Sequence, residues 1–258
     1  MGHLPKISVV TPTLNQASFI EETIQSVLGQ GYPDLEYRVV DGGSTDNTLD
    51  ILKRYDGQLS WLSEADSGQA NAVNKGLRLA TGDVLAFLNS DDLYEPGALL
   101  TVGEYFANHA EAAWLTGKCI NIDQFGKVIR QRTRLYKNVF LTLNQYSILQ
   151  VLNFISQPAT FWRRTATQRI GFLDERLHYT MDYEYWLRLG KQYRLHFIPR
   201  DLACFRIHRA SKSGSTIRHQ FDEELAVASR YCSPMLLFMH RLYHPLIIEI
   251  YRRTSQVP

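Results

Sequence analysis

The chain has 258 residues, 45% hydrophobic and 21% charged, with 28 Lys+Arg against 26 Asp+Glu for a formal charge of +2. This composition fits a globular protein with one large domain and excludes a disordered chain. The near-neutral balance supplies no polycationic field, so no nucleic-acid partner is expected.

The stretch Met1 to Lys6 has no basic leader followed by an apolar run, so no signal peptide is expected. The run Ile7 to Thr11 reads as a buried strand ending at Pro12, and Ser18 stands three residues before Glu21 at capping-box spacing. Phe19, Ile20, Ile24, Val27 and Leu28 then give one apolar helical face. Tyr37 to Val40 predicts a second strand, and the turn Asp41 to Asp46 opens a helix carrying Leu49, Ile51 and Leu52. Trp61 to Ser63 predicts a short third strand and Gln69 to Ala80 a helix ending at Gly82. Val84 to Leu88 reads as a fully apolar fourth strand that stops at Asn89-Ser90-Asp91-Asp92. Repeated βα units of this kind feed a mostly parallel sheet flanked by helices.

Beyond Pro96 the pattern predicts a helix, a hairpin around Asp123 to Gly126, and a stretch from Tyr136 to Gln157 with few turn signals. A helix over Asp182 to Gln192 and two strands, Leu195 to Ile198 and Ala203 to Ile207, lead to a polar loop, His208 to Ser215. This half should be mixed or antiparallel, merging with the first into one domain over 1–215 whose halves meet near residue 100. Cys119, Cys204 and Cys232 form no Cys-x-x-Cys pair and read as reduced, buried thiols, as in a cytoplasmic protein. In the tail, 216–258, Leu236, Met239, Tyr243, Leu246 and Ile250 recur at helical spacing, and Pro245 should split two short helices. His240, Arg241, His244 and Pro245 exclude a membrane span there. Peripheral contact with anionic lipid at the inner face of the membrane, a homodimer contact and packing onto the domain are the open readings.

Ligands of open α/β sheets sit at the carboxyl ends of the strands, where this chain places Thr11/Thr13, Asp41, Glu64 to Gly68 and Asn89 to Asp92. Asp91 and Asp92 at the mouth of an apolar strand are costly to juxtapose unless a cation or hydrogen bonds compensate. Oxygen ligation without cysteine suits Mg²⁺ or Mn²⁺, with a diphosphate completing the coordination. The alternative is a cap for the following helix, and the position after a buried strand favours the metal.

Five motifs in order, Ile7 to Asn15, Val40 to Asp46, Asn74-Lys75-Gly76, Ala80 to Asp83 and Asn89 to Asp92, resemble those of family 2 inverting glycosyltransferases, over about residues 6 to 215. The resemblance implies the glycosyltransferase type A fold and a nucleoside diphosphate sugar donor, a UDP-sugar favoured. It implies that Pro12, Thr13 and Asn15 line the nucleotide pocket, Asp41 binds base or ribose, Asp66 closes over the base, and Lys75 and Gly76 lie near the sugar diphosphate. Asp91 and Asp92 match its metal motif, with Asn89 in place of the first acid, and Gly42 stands where many members carry aspartate.

An inverting transferase needs a base for the acceptor hydroxyl. The resemblance assigns that role to Asp182, with Met181 replacing the usual glutamate; a plain helix cap is the alternative and Glu184 the fallback base. Arg206, His208, Ser211, Lys212 and Ser213 match the loop over the donor diphosphate, with His208 as a further metal ligand or a structural hydrogen-bonder. Gln157 and Trp162 fall where the acceptor is usually met, with core packing of Phe161 and Trp162 as the equal alternative. The expected activity is transfer of a sugar to a hydroxyl of a glycan or lipid-linked glycan in surface polysaccharide biosynthesis. A degenerate nucleotide-sugar-binding module and a sugar nucleotidyltransferase are the alternatives.

Overall fold

The structure is a computed structural model that describes residues 3–208 and 217–254. Four parallel strands form its first half: β1 (Ile7–Thr13), β2 (Leu35–Asp41), β3 (Ser60–Ser63) and β4 (Val84–Phe87). Helices α1 (Ile20–Leu28), α2 (Thr48–Lys53) and α3 (Gln69–Leu79) make the crossovers. Ile7, Val9 and Val10 are buried because helices cover both faces of the sheet, which accounts for the continuous apolar reading of β1. Register sets Thr13 beside Asp41 and Asp41 beside Ser63, so the loops after β1, β2 and β3 leave the sheet at one level.

The second half contributes β5 (Leu93–Tyr94), α4 (Ala98–Asn108), β6 (Trp114–Asp123), α5 (Gln131–Leu143), α6 (Tyr146–Val151) and a 3-10 turn (Gln157–Ala159). Then come β7 (Thr160–Arg163), α7 (Arg164–Ile170), α8 (Met181–Gln192), β8 (His196–Ile207), α9 (Ile217–Ala228) and α10 (Pro234–Thr254). All eight strands join one sheet, ordered β3-β2-β1-β4-β7-β6-β8-β5. The β4/β7, β6/β7 and β5/β8 pairs are antiparallel and β6/β8 is parallel, so the second half is mixed as expected. Antiparallel β7 brings Gln157 to the carboxyl end of β4, and the β5/β8 pairing brings Arg206 and His208 to the loop that holds Asp91 and Asp92.

One core packs α1, α2 and α4 on the sheet through Ile24, Leu52, Leu99 and Phe106. The other packs α3 and α8 through Val73, Leu77, Trp186 and Leu189, around Trp114 and Trp162. Gly76 lets α3 lie directly on β1, because a Cβ there would come 2.3 Å from Val10 Cγ1. Gly76→Ala is therefore expected to overpack this contact, lowering stability by about 1–3 kcal/mol in urea unfolding. An unchanged midpoint would show that the helix has room to move.

Three local expectations differ from what the chain does. Ser18 does not cap α1, since Gln16 and Ala17 N–H groups bond Thr48 Oγ1 (3.0 Å) and Asp46 Oδ2 (3.0 Å) and Phe19 and Ile20 bond Gln16 O. The two strands expected between 195 and 207 are one strand, β8, irregular in register where it passes Gly117 to Cys119. Helix α10 runs through Pro245 rather than breaking there. Among the described residues, no helix is long and apolar enough to cross a membrane. Val227 and Ala228 are buried in the second core, and Gln150 of α6 donates to Tyr231 O (2.6 Å), so the chain after β8 packs on the domain. Cys119 and Cys204 are buried free thiols, whereas Cys232 is half-buried.

Candidate active site

A cavity of about 500 Å³ opens where the carboxyl ends of β1 and β4 face α5, α8 and α9. Pro12, Thr13, Asp66, Asp91, Gln157, Asp182 and Arg206 all line it, which brings together residues drawn from both halves of the chain.

On the wall formed by β1 and the loop after β3, Thr13 Oγ1 is buried with no hydrogen-bond partner among the described residues. Asp66 lines the same cavity, its Oδ1 accepting from Gly68 N (2.8 Å). A Cβ on Gly42 would meet Asp66 Oδ2 at 2.4 Å, so the missing side chain at position 42 makes room for this carboxylate. Asp41 is corrected to a supporting role. It is fully buried, and its Oδ2 accepts from Gly43 N (3.0 Å), Ser44 N (3.0 Å) and Ser63 Oγ (2.6 Å), which leaves the carboxylate committed to the turn. Asn15, with φ 52°, is not on the wall either; it ties the loop after β1 to that turn through Ser44 Oγ (2.7 Å) and Thr45 N (2.8 Å). Lys75 bonds Glu64 (2.8 Å) and Ala65 O (3.1 Å), bracing the loop that carries Asp66, and Gly76 faces β1 rather than the cavity.

The acidic pair after β4 divides its labour. Asp92 is fully buried and off the wall; its Oδ1 accepts from Arg206 N (2.9 Å) and its Oδ2 from Asn89 Nδ2 (3.2 Å). Burial, then the charge of Asp91, push its pKa well above the usual carboxylate range. In this structure Asp92 clamps this loop to β8 and does not line the cavity. Asp91 does face the cavity, with Oδ2 3.0 Å from His208 Nε2. Arg206 is buried, donating to Asp91 O (2.8 Å) and Glu22 Oε2 (2.6 Å), which fixes the loop rather than leaving a free cation. Ser211, Lys212 and Ser213 lie outside the described residues. Among the described residues, no group of three or more His, Cys, Asp or Glu is gathered as a metal site. The donor set that fits a hard divalent cation is the Asp91 carboxylate with the His208 imidazole, a pair that needs oxygens from a ligand to complete it.

From α8 the cavity receives Asp182, the second residue of that helix. Burial raises its pKa above the ordinary carboxylate value, Tyr183 N–H and Lys137 oppose the rise, and Glu223 adds to it. It is not the helix cap: Thr180 holds that position, and Glu223 of α9 accepts from the N–H groups of His178 (3.0 Å), Tyr179 (2.8 Å) and Thr180 (2.8 Å). Gln157 donates to Phe87 O (2.5 Å) and meets Asn89 Nδ2 (3.3 Å), so it shapes the mouth of β4 from within the cavity. Trp162 is core, buried against Trp186 and Tyr185 with Nε1 donating to Thr167 Oγ1 (2.8 Å). Glu184 is spent on Arg188 (2.7 Å) and the Tyr231 hydroxyl, away from the cavity, and is no fallback base. Sequence reasoning missed Thr133, Lys137, Asn153 and Glu224, which complete the wall around Asp182.

The family model described as "Glycosyl transferase family 2" matches residues 8–171. The chain belongs to this family. It is 31% identical over 189 residues to a PGL/p-HBAD biosynthesis glycosyltransferase of Mycobacterium bovis, covering 71% of this chain and 69% of that one. Its fold is that of the glycosyltransferase type A neighbours. The mannosyltransferase PcManGT from Pyrobaculum calidifontis, solved with GDP-Man and Mn²⁺, superposes with a TM-score of 0.73 at 21% identity, covering 98% of this chain and 73% of that one. Residues 1–349 of S. aureus TarS with UDP-GlcNAc give 0.66 at 21% identity, covering 88% and 66%. The match covers only 39% of a longer TarS structure.

Proposed function

We propose that this glycosyltransferase moves one sugar from a nucleoside diphosphate sugar, a UDP-sugar first, to a hydroxyl of a glycan or lipid-linked glycan in surface polysaccharide biosynthesis. The reaction inverts the anomeric centre and takes place on the cytoplasmic side of the membrane. The observation that carries this reading is that Thr13, Asp66, Asp91 and Asp182 line one cavity. The donor lies along Thr13, whose Oγ1 awaits a partner. Asp182 takes the proton of the acceptor hydroxyl as its oxygen bonds to the anomeric carbon. The bond from that carbon to the phosphate oxygen breaks, and the nucleoside diphosphate leaves with the electron pair. Asp91 and His208 would hold Mn²⁺ or Mg²⁺, which when bound neutralises charge on the leaving diphosphate. The Mn²⁺ and nucleotide sugars in the solved neighbours support this assignment. The convergence of Asp91 and Asp182 on one cavity favours an enzyme over a degenerate module.

A thermal-shift series of UDP-, GDP- and dTDP-sugars with and without Mn²⁺ tests the donor half. One nucleotide class should raise Tm, and more so with the metal. Proton NMR of the product tests the chemistry, since an α-linked donor should yield a β-linked product. A retained configuration would overturn the assignment of Asp182 as base in a single displacement.

A further inference from the structure

Around Asp182 the cavity wall holds polar groups that the transfer chemistry does not use. Glu224 of α9 is buried, with Asn153 N–H as a backbone donor, and it lies beyond the residues that the family model matches. Thr133 of α5 is 6% exposed. Its Oγ1 and the Asn153 Oδ1 are buried without hydrogen-bond partners among the described residues, and both side chains belong to the same wall. Leaving such groups unmet costs about 1–3 kcal/mol each, so the site is built for a ligand that donates and accepts hydrogen bonds.

We propose that Glu224, Thr133 and Asn153 form a subsite that grips hydroxyl groups of a sugar in the acceptor and presents one of them to Asp182. This rests on the transferase reading above and adds what the acceptor end must be: a polyhydroxylated ring rather than a bare lipid alcohol. Asn153 Oδ1 accepts, Thr133 Oγ1 donates or accepts, and Glu224 does both while it carries its proton. Burial, then the negative charge of Asp182 on α8, push the Glu224 pKa up to about 7, against Lys137 on α5 and Asn153 N–H. Lys137 is itself held by Ile155 O and Ser156 Oγ (3.4 Å each), so it counters the two acids without bonding them away. Glu224 is thus a neutral acid at pH 6, which glutamine imitates and alanine does not.

Saturation-transfer NMR on the full chain with UDP and Mn²⁺ tests this, with octyl glucoside, galactoside, mannoside and N-acetylglucosaminide as probes and octanol as the apolar control. Ring protons of at least one glycoside should receive transfer at pH 6 while octanol gives none. Glu224→Ala and Thr133→Val should each weaken that binding about tenfold, the scale of one lost hydrogen bond, whereas Glu224→Gln restores it at pH 6. UDP affinity should stay within twofold in all three variants. No glycoside binding, equal octanol binding, or glycoside affinity indifferent to Glu224→Ala would overturn the subsite while leaving the donor reading intact. Failure of UDP, GDP and dTDP alike to bind the wild type would instead sink the transferase reading.

Discussion

Asp91→Asn is expected to lower Mn²⁺-dependent donor affinity by roughly 10²-fold, and EDTA to abolish transfer. Removing groups that only orient a metal ligand already costs about 10–100-fold in metal affinity, so loss of a carboxylate that binds directly should reach at least the upper end. The neighbouring acid provides the contrast. Asp92 faces Arg206 N and Asn89 Nδ2 inside the protein, so Asp92→Asn should disturb the loop and cost about 1 kcal/mol of stability, with a smaller effect on metal titration. Isothermal titration of Mn²⁺ with UDP into both variants separates the two residues. Equal losses would return Asp92 to the metal site, and full turnover in chelator would remove the metal from the reaction.

That contrast was invisible in the sequence, where Asp91 and Asp92 are equivalent neighbours. The strand and loop order was legible because each βα unit repeats one pattern: a run apolar on both faces, then polar residues at its carboxyl end. Which carboxylate points out depends on β8, more than 100 residues later, whose Arg206 N–H claims Asp92 Oδ1 and whose extension sets His208 beside Asp91. Asp41 and Trp162 show the same limit from the other side. Turn chemistry and ligand binding ask for the same acid in the first case, and core packing and sugar stacking for the same ring in the second. Burial decides each, and burial is a property of the assembled fold. Glu224 carried no local signal at all, since a charged residue on an amphipathic helix reads as solvated until α5 and α8 close over it. The Ser18–Glu21 spacing was a local signal overridden by the tertiary setting: Asp46 and Thr48 hold the Ala17 and Gln16 N–H groups, and Gln16 O takes the Phe19 and Ile20 N–H groups in place of a Ser18 cap.

Asp182→Asn should reduce transfer by roughly 10²-fold or more, the usual scale for a lost general base, with donor affinity unchanged. Asparagine preserves size and can still accept from Tyr183 N–H, but it cannot take a proton at neutral pH. The local fold should survive, because Glu223 rather than Asp182 holds the backbone that enters α8. A raised carboxylate pKa makes Asp182 a stronger base, and the sign of the pH response follows. Activity in the wild type should be lost as pH falls through the raised pKa of Asp182, and this acid limb should vanish from the residual activity of the variant. Glu223→Gln gives the complementary result: weaker acceptance from three N–H groups should lower Tm and blur the placement of α8, yet leave the acid limb in place. If Asp182→Asn turns over normally, the proton must go elsewhere on the same wall. Glu224 then becomes the base to test, since Glu184 is closed off by Arg188 and Tyr231.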